Sequence, residues 1–454
     1  MALVELDRRP ATEETPEGRK MLVHLGPSHP AMHGIIQIDV ELDGEVIRRA
    51  EVEIGYLHRC FEKMSETVVW NNVFPYTDRL NYVSPLINNV GYAMAVEKLL
   101  GIETTERSKW IRVLMSEVSR ITDHLTCVGA SAMEIGAFTV FLYLIEAREY
   151  LWECIEEVTG ARLTISYLRV GGVKGDLPEG FDARVRDAMA KVREKMDLAD
   201  RLLTRNRIFV DRMETGHVTA EFCRQWGITG PFARASGWDF DVRKDFPYLV
   251  YDEVDFDVPV GTKGDNIDRY LVRMEEMRQS MRIIEQCLEK MPKGELNVDH
   301  EGRVISAADM KDLGHKGKTE GLVLDYNVAT DPTLNGASSD IVWNIRVGDR
   351  KISLPPKEDV YGSIEGLINH FKLVMSGHGI NPPAGEAYLA VEGGNGELGF
   401  YVVSNGEDRP WRVRVRPPCF TIMSALGEIL KDEMLADLVP TFGAVNMIGG
   451  ELDR

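Results

Sequence analysis

Trp110-Ile111-Arg112-Val113-Leu114-Met115-Ser116-Glu117-Val118-Ser119-Arg120-Ile121-Thr122-Asp123-His124-Leu125 decides the fold class, because its apolar residues recur at three-and-four spacing. Trp110, Val113, Leu114, Val118, Ile121, Leu125 and Val128 form one stripe of a helix that starts near residue 107. The pattern recurs along the chain, and a second helix is expected over about 138–158. Val185, Met189, Val192, Met196, Ala199 and Leu203 share a stripe within 182–206, and Tyr270, Met274, Met277, Met281, Ile284 and Leu288 share one within 264–291. Methionine at this spacing is packing material, a flexible filler of core gaps. The centre of the chain is therefore expected to be a bundle of long helices.

On either side the period shortens to two. Ile36, Ile38, Val40 and Leu42 alternate up to Asp43-Gly44, and Val46, Ala50, Val52 and Ile54 resume an even-numbered pattern, which predicts a hairpin with a primed turn. Late in the chain a last helix is expected around 363–375. Beyond it, Tyr388, Leu389 and Val391 precede one turn, and Gly399–Val403 and Trp411–Val415 flank Asn405-Gly406. Between Pro292 and Pro355-Pro356 the sequence is polar, glycine-rich and acidic, with strand-like pieces at Leu322–Val328 and Ile341–Val347, as in a surface insertion. The expected organisation is a flexible arm (1–20), a β-rich region (21–106), a helical core (107–297), an insertion (298–354) and a C-terminal helix with β-structure (355–454). This is an α+β chain, a core of long helices with peripheral antiparallel sheets.

Composition excludes several classes. A net charge of −19 over 454 residues argues against nucleic acid. The richest apolar run, Ile135 to Ile145, falls well short of the roughly 18 residues a spanning helix needs. The first ten residues carry no signal-peptide core, so a soluble, cytoplasmic protein is expected. Cysteines stand singly at 60, 127, 154, 223, 287 and 419, without the paired spacing of zinc, iron–sulfur or dithiol sites. Gly394-Asn395-Gly396-Glu397-Leu398-Gly399 fits a dinucleotide fingerprint but lies between two strands, which makes it a hairpin turn. Gly317-Lys318-Thr319 lacks the upstream glycine of a phosphate loop. Neither motif predicts a nucleotide.

Gly26-Pro27-Ser28-His29-Pro30-Ala31-Met32-His33-Gly34 puts two histidines at i and i+4, but its prolines rule out a helical metal site. The loop reads either as a turn with a structural histidine or as a binding loop. Further stretches settle the choice: Ile54-Gly55-Tyr56-Leu57-His58-Arg59, Phe74-Pro75-Tyr76-Thr77-Asp78-Arg79-Leu80-Asn81-Tyr82, Ala132-Met133-Glu134-Ile135-Gly136-Ala137, Gly171-Gly172-Val173, Arg234-Ala235-Ser236-Gly237, Phe256-Asp257-Val258-Pro259-Val260-Gly261 and the terminal Gly450-Glu451-Leu452-Asp453-Arg454. In this order they resemble the NuoD family, the D subunits of respiratory complex I, the proton-translocating NADH:quinone oxidoreductase. That family is related to the large subunit of nickel–iron hydrogenases. Only about the first 20 residues and the insertion are expected to fall outside the likeness.

The resemblance implies a hydrogenase-large-subunit-like fold and a place at the quinone chamber, beside the terminal iron–sulfur cluster of a partner. It gives His33 and Tyr82 the quinone headgroup, Glu134 the support of the histidine, and Arg79 a position near the cluster. Reduction of a quinone takes two electrons and two protons, and donors aimed at its oxygens stabilise the charge that develops. An imidazole that titrates near neutrality suits a donor that must be reloaded. Unaided, Tyr82 would read as a core aromatic. The hydrogenase metal is held by two cysteine pairs; here Leu57-His58-Arg59-Cys60-Phe61-Glu62 keeps one cysteine and Asn446-Met447-Ile448-Gly449-Gly450 keeps none, so no metal is expected. Glu134 stands where the family has Asp, and Thr164 where many members have a histidine. No cofactor is expected on this chain alone. FMN and iron–sulfur clusters are implied in partner subunits. The implied partners are the B, C and I subunits and the membrane-embedded H subunit, on the cytoplasmic side of the bacterial plasma membrane. A ferredoxin-fed relative, a hydrogenase large subunit and a scaffold without a quinone role are the rival readings.

Overall fold

A computed structural model describes residues 12–15, 18–32, 35–298, 302–305, 357–362 and 379–454, with single positions between 364 and 375. Its axis is the helix Glu106–Glu134, about 43 Å long at 1.5 Å per residue. Thr105 caps it by accepting from the Ser108 amide. The expected stripe is buried, and so is much of the opposite face, because four helices pack around it: Pro85–Leu100, Phe138–Thr159, Asn266–Lys290 and Leu435–Val445. Phe181–Leu203 lies outside Phe138–Thr159 and turns Val185, Met189, Val192, Met196, Ala199 and Leu203 inward, as their spacing predicts.

Two antiparallel sheets flank this core. The first has the strand order Thr12–Thr15, Gly18–Leu25, Gln37–Asp43, Val46–Glu53, and its Ile38, Val40 and Leu42 face inward. The hairpin through Asp43-Gly44 is as expected. Thr12–Thr15, which fall within the expected flexible arm, are instead paired into this sheet. The second sheet, Arg412–Arg416, Glu397–Ser404 and Gly385–Glu392, lies on the helix Pro85–Leu100. Residues 393–396 are the turn of its hairpin, so the glycine motif is the turn that its context predicts.

The described positions 364, 367, 368, 370 and 371 are helical as expected, but the helix there is not the last. Pro418–Ile429, Leu435–Val445 and Gly449–Asp453 follow the second sheet and return the chain to its beginning, where Pro418–Ile429 covers the strand Val46–Glu53. One apolar cluster joins the long helices to the second sheet, and another joins the first sheet to these C-terminal helices. The expected insertion lies outside the described residues, apart from Val298 and 302–305. Among the described residues no helix is long and apolar enough to cross a membrane.

The core also holds a lattice of charge. Arg234 reaches Glu276 at 2.6 Å and Glu392 at 2.8 Å, Arg243 reaches Asp241 at 2.7 Å and Glu117 at 3.2 Å, and Arg120 lies 3.3 Å from Glu117. All seven side chains are 2 % exposed or less. Burial pushes the Asp241 carboxyl up, but Arg243 and Arg234 more than offset it and hold it at about 2. Removing one member of such a set strands its partners in a medium that solvates them poorly. Arg234→Met is therefore expected to destabilise the folded chain by about 3–5 kcal/mol, read as a lower urea midpoint with an unchanged slope.

Candidate functional site

Tyr82 sits on a turn that the sequence itself ties down. The Asn81 side-chain oxygen accepts from the amides of Val83 and Ser84, both at 3.2 Å, while its Nδ2 donates to Asp123 at 2.9 Å. Asn88 donates to the Asn81 carbonyl at 3.0 Å from the following helix. The ring is thus carried by a rigid support and packs partly buried against the second apolar cluster. Burial pushes its hydroxyl above the usual range, Cys419 and Asp123 push it further, and Arg59 pulls it back. The phenol is a stable proton donor at neutral pH.

Arg59 is the neighbour that the sequence did not single out. Its Nη2 donates to the carbonyls of Arg79 at 2.7 Å and Gly450 at 3.2 Å. Burial lowers its pKa, as does the like charge of Arg79, while Tyr82 and Asp453 raise it. Arg79 itself is exposed, with Nη1 on the Pro75 carbonyl at 2.5 Å. Beside it, the buried Asp78 carboxylate accepts from the Ser166 amide at 2.9 Å, which pins the loop carrying Thr164 next to Arg79. Tyr82, Arg59, Arg79 and the Thr164 loop therefore belong to one neighbourhood.

Glu134 ends the long helix, with its carboxylate against the backbone of Gly443; a β-carbon there would lie 2.0 Å from Oε2. The helix bearing Gly443 also touches the short turn Pro30–Met32. His33 follows that turn in sequence and lies outside the described residues.

Behind Tyr82 is a closed polar cluster. Asp123 accepts from Asn81 and Ser84 on one oxygen and from Asn446 on the other, each at 2.9 Å. Asn446 also donates to Asn395 at 2.6 Å, Asn395 lies 3.3 Å from the Cys419 sulfur, and the Cys419 amide donates to Glu451 at 2.9 Å. The terminal motif that contains Glu451 could be quoted from the sequence. Its meeting with Cys419 and Asp123 could not, because no local pattern carries contacts between segments so far apart.

The stretch around Leu57–Arg59 and the C-terminal stretch Gly450–Asp453 come together. Asp453 accepts from the amides of Gly55 at 3.0 Å and Leu57 at 2.8 Å, and Gly450 packs on Arg59. Among the described residues no group of three or more His, Cys, Asp or Glu converges as a metal site. A cleft of about 410 Å³ opens here beside His58, Cys60, Arg414 and Arg454, but neither Tyr82 nor Glu134 lines it. The polar geometry around Tyr82, rather than cavity size, marks the candidate site.

A helical-core α+β protein with this site has known counterparts. The family model described as respiratory-chain NADH dehydrogenase, 49 Kd subunit, matches residues 134–332 and 337–454. An NADH-quinone oxidoreductase D subunit of Sorangium cellulosum is 49% identical, over 96% of this chain and 95% of its own length. The corresponding D subunit of Myxococcus xanthus is 48% identical, over 96% and 93%. A fused C/D subunit of Bdellovibrio bacteriovorus is 45% identical over 95% of this chain and 68% of its own. The chain belongs to the D-subunit family of NADH-quinone oxidoreductase, respiratory complex I, and is a component of that oxidoreductase. The family model runs through most of the polar stretch after residue 298 and breaks only at 333–336, which corrects the expectation that the stretch lies outside the likeness.

All six cysteines are free, five are buried, and Cys60 is exposed at the cleft. Native chain is expected to give about one thiol to an aromatic disulfide reagent, and six after unfolding. Cys60→Ser should abolish the native reading.

Proposed function

We propose that this chain forms a wall of the chamber in which the complex reduces quinone, with Tyr82 donating to one headgroup oxygen. The supporting observation is a phenol kept protonated by burial and fixed by Asn81 on a rigid turn, with Arg59 beside it. Fixed donors lower the barrier because they need not reorganise as charge develops. His33 is assigned the second donor and Glu134 the carboxylate that orients it and favours its charged form. Arg79, next to the Thr164 loop, is assigned to the partner's terminal cluster, where a permanent positive charge favours electron uptake.

The partners follow from the same reading: the cluster-bearing B subunit, the C and I subunits, and the membrane-embedded H subunit, with NADH and FMN bound elsewhere in the complex. The fused name C/D of the Bdellovibrio relative supports proximity to the C component. The chain would be peripheral, on the cytoplasmic side of the bacterial membrane, within a proton-translocating assembly.

In the assembled complex, Tyr82→Phe and His33→Ala are expected to lower quinone reduction by about 10²-fold or more, the range for loss of a direct proton donor, while electron transfer from NADH to an artificial acceptor continues. Wild-type quinone rates in both variants would refute the assignment. Thr164 exchanges no proton near neutrality, so the midpoint potential of the neighbouring cluster should vary little between about pH 6 and 8, the interval around histidine's reference pKa. A redox titration showing about 59 mV per pH unit would mean that another group carries a coupled proton.

A further inference from the structure

Among the described residues six arginines are buried to 2 % exposure or less: Arg112, Arg120, Arg234, Arg243, Arg269 and Arg273. Four of them meet carboxylates, Arg112 at Glu97 and the other three in the charged lattice. Arg269 and Arg273, one turn apart on Asn266–Lys290, form no ion pair among the described residues and donate only to neutral acceptors. Arg269 reaches the Asn266 side chain and the carbonyls of Gly216 at 2.6 Å and Gly264 at 3.0 Å, and lies 3.8 Å over the Phe232 ring. Arg273 reaches the carbonyls of Arg269 and Val445, both at 3.3 Å, and its Nε has no partner. A buried cation without a counter-charge is costly, because neutral dipoles replace water incompletely.

Arg273 lines a cavity of about 10 Å³ where Glu106–Glu134, Arg207–Met213, Asn266–Lys290 and Leu435–Val445 meet. Ser131, 6 % exposed, lines it too, and its Oγ is likewise without a partner. Cys127, Phe209, Asn266 and Tyr270 contribute to the same wall. Two buried donors without partners thus border a space that admits about one water-sized occupant.

The wall supplies no negative charge. Burial above all pushes the Cys127 thiol up to about 11, with Asp123 and Glu134 adding to it and Arg273 opposing it. Burial likewise pushes the Tyr270 hydroxyl up to about 12, and that group is engaged with Thr204 at 3.0 Å. Both stay protonated at neutral pH. Of the nearby acids, Asp123 is taken by Asn81, Ser84 and Asn446, and Glu134 stands against Gly443.

We propose that this cavity is a halide site, with chloride or bromide held by Arg273 Nε and Ser131 Oγ. A monatomic anion matches the size, which excludes phosphate and sulfate, and it supplies the charge that Arg273 lacks. The ion joins the two longest helices of the core one turn behind Glu134.

The test exchanges chloride for bromide in crystals of the assembled complex, with data collected at the bromine absorption edge. An anomalous peak is expected in the cavity, in contact with Arg273 and Ser131. Ser131→Ala removes one donor and should weaken the peak. Ser131→Asp brings its own carboxylate and should abolish it. In solution, the urea midpoint of the full chain should rise when chloride replaces gluconate at constant ionic strength. Above the Kd, each tenfold rise in chloride should shift the folding constant about tenfold further, and Ser131→Asp should remove that dependence. A water in place of bromide, or a peak unchanged in both variants, overturns the proposal. If Ser131→Asp does not fold, the wild type and Ser131→Ala decide, and a midpoint indifferent to chloride in the wild type overturns it.

Discussion

The carboxylate of Asp123 accepts from Asn81 and Ser84 near the start of the chain and from Asn446 near its end, and no part of it reaches solvent. Three neutral donors take the place of water around a buried charge, and losing any one leaves that charge short of a partner in a medium that solvates it poorly. The requirement fixes where the turn before Pro85, the C-terminal segment and the long helix stand relative to one another. It even reaches the second sheet, since a β-carbon at Gly394 would lie 2.0 Å from the Asp123 oxygen. The position of Tyr82 follows from this, because the residue before it is one of the donors.

One residue further along the same helix begins the second constraint. His124 contacts Glu276 at 2.8 Å, and through Glu276 it joins the lattice of Arg234, Arg243 and Arg120 with Glu117, Asp241 and Glu392. With three guanidinium groups against four carboxyls, the lattice is one positive charge short if every acid is ionised. The imbalance falls most on Glu392, whose carboxyl burial and then Asp241 push up against the pull of Arg234, Arg243 and Arg120. An apolar replacement for the entire set need not be less stable. What the lattice adds is direction: each fork of an arginine accepts only one arrangement of its partners.

These constraints explain what could be read in advance. Helices with one wet face, such as Phe181–Leu203, announce themselves by a stripe, and the Asp43-Gly44 hairpin by its alternation and turn. Pro85–Leu100 does not, because it is buried on nearly every side and its apolar residues show no preferred face. Leu435–Val445 conceals itself twice, being apolar apart from Asp437 and Thr441 and containing Pro440, a residue that ordinarily argues against a helix interior. At the site, Tyr82, Glu134 and Arg79 were named through family motifs, whereas Arg59, Asp123 and Glu451 acquire their neighbours only in three dimensions. A contact such as Cys419 with Glu451 leaves no periodic trace.

Residues 57–62 and 446–453 meet in a cradle where side chains of one segment hold the backbone of the other. A soft metal centre needs several thiolates, and this cradle offers one cysteine, Cys60, beside the Arg59 guanidinium, the Asn446 amide and bare glycine backbone at Gly449 and Gly450. Polar groups there tie chain to chain: Arg59 to the Gly450 carbonyl, Asn446 to Asp123, Asp453 to the amides of Gly55 and Leu57. Tyr82 borders this cradle, and there Cys419 pushes the pKa of its buried hydroxyl further up while the Arg59 guanidinium pulls it back, so the charge that ties the two segments together also acts on the phenol.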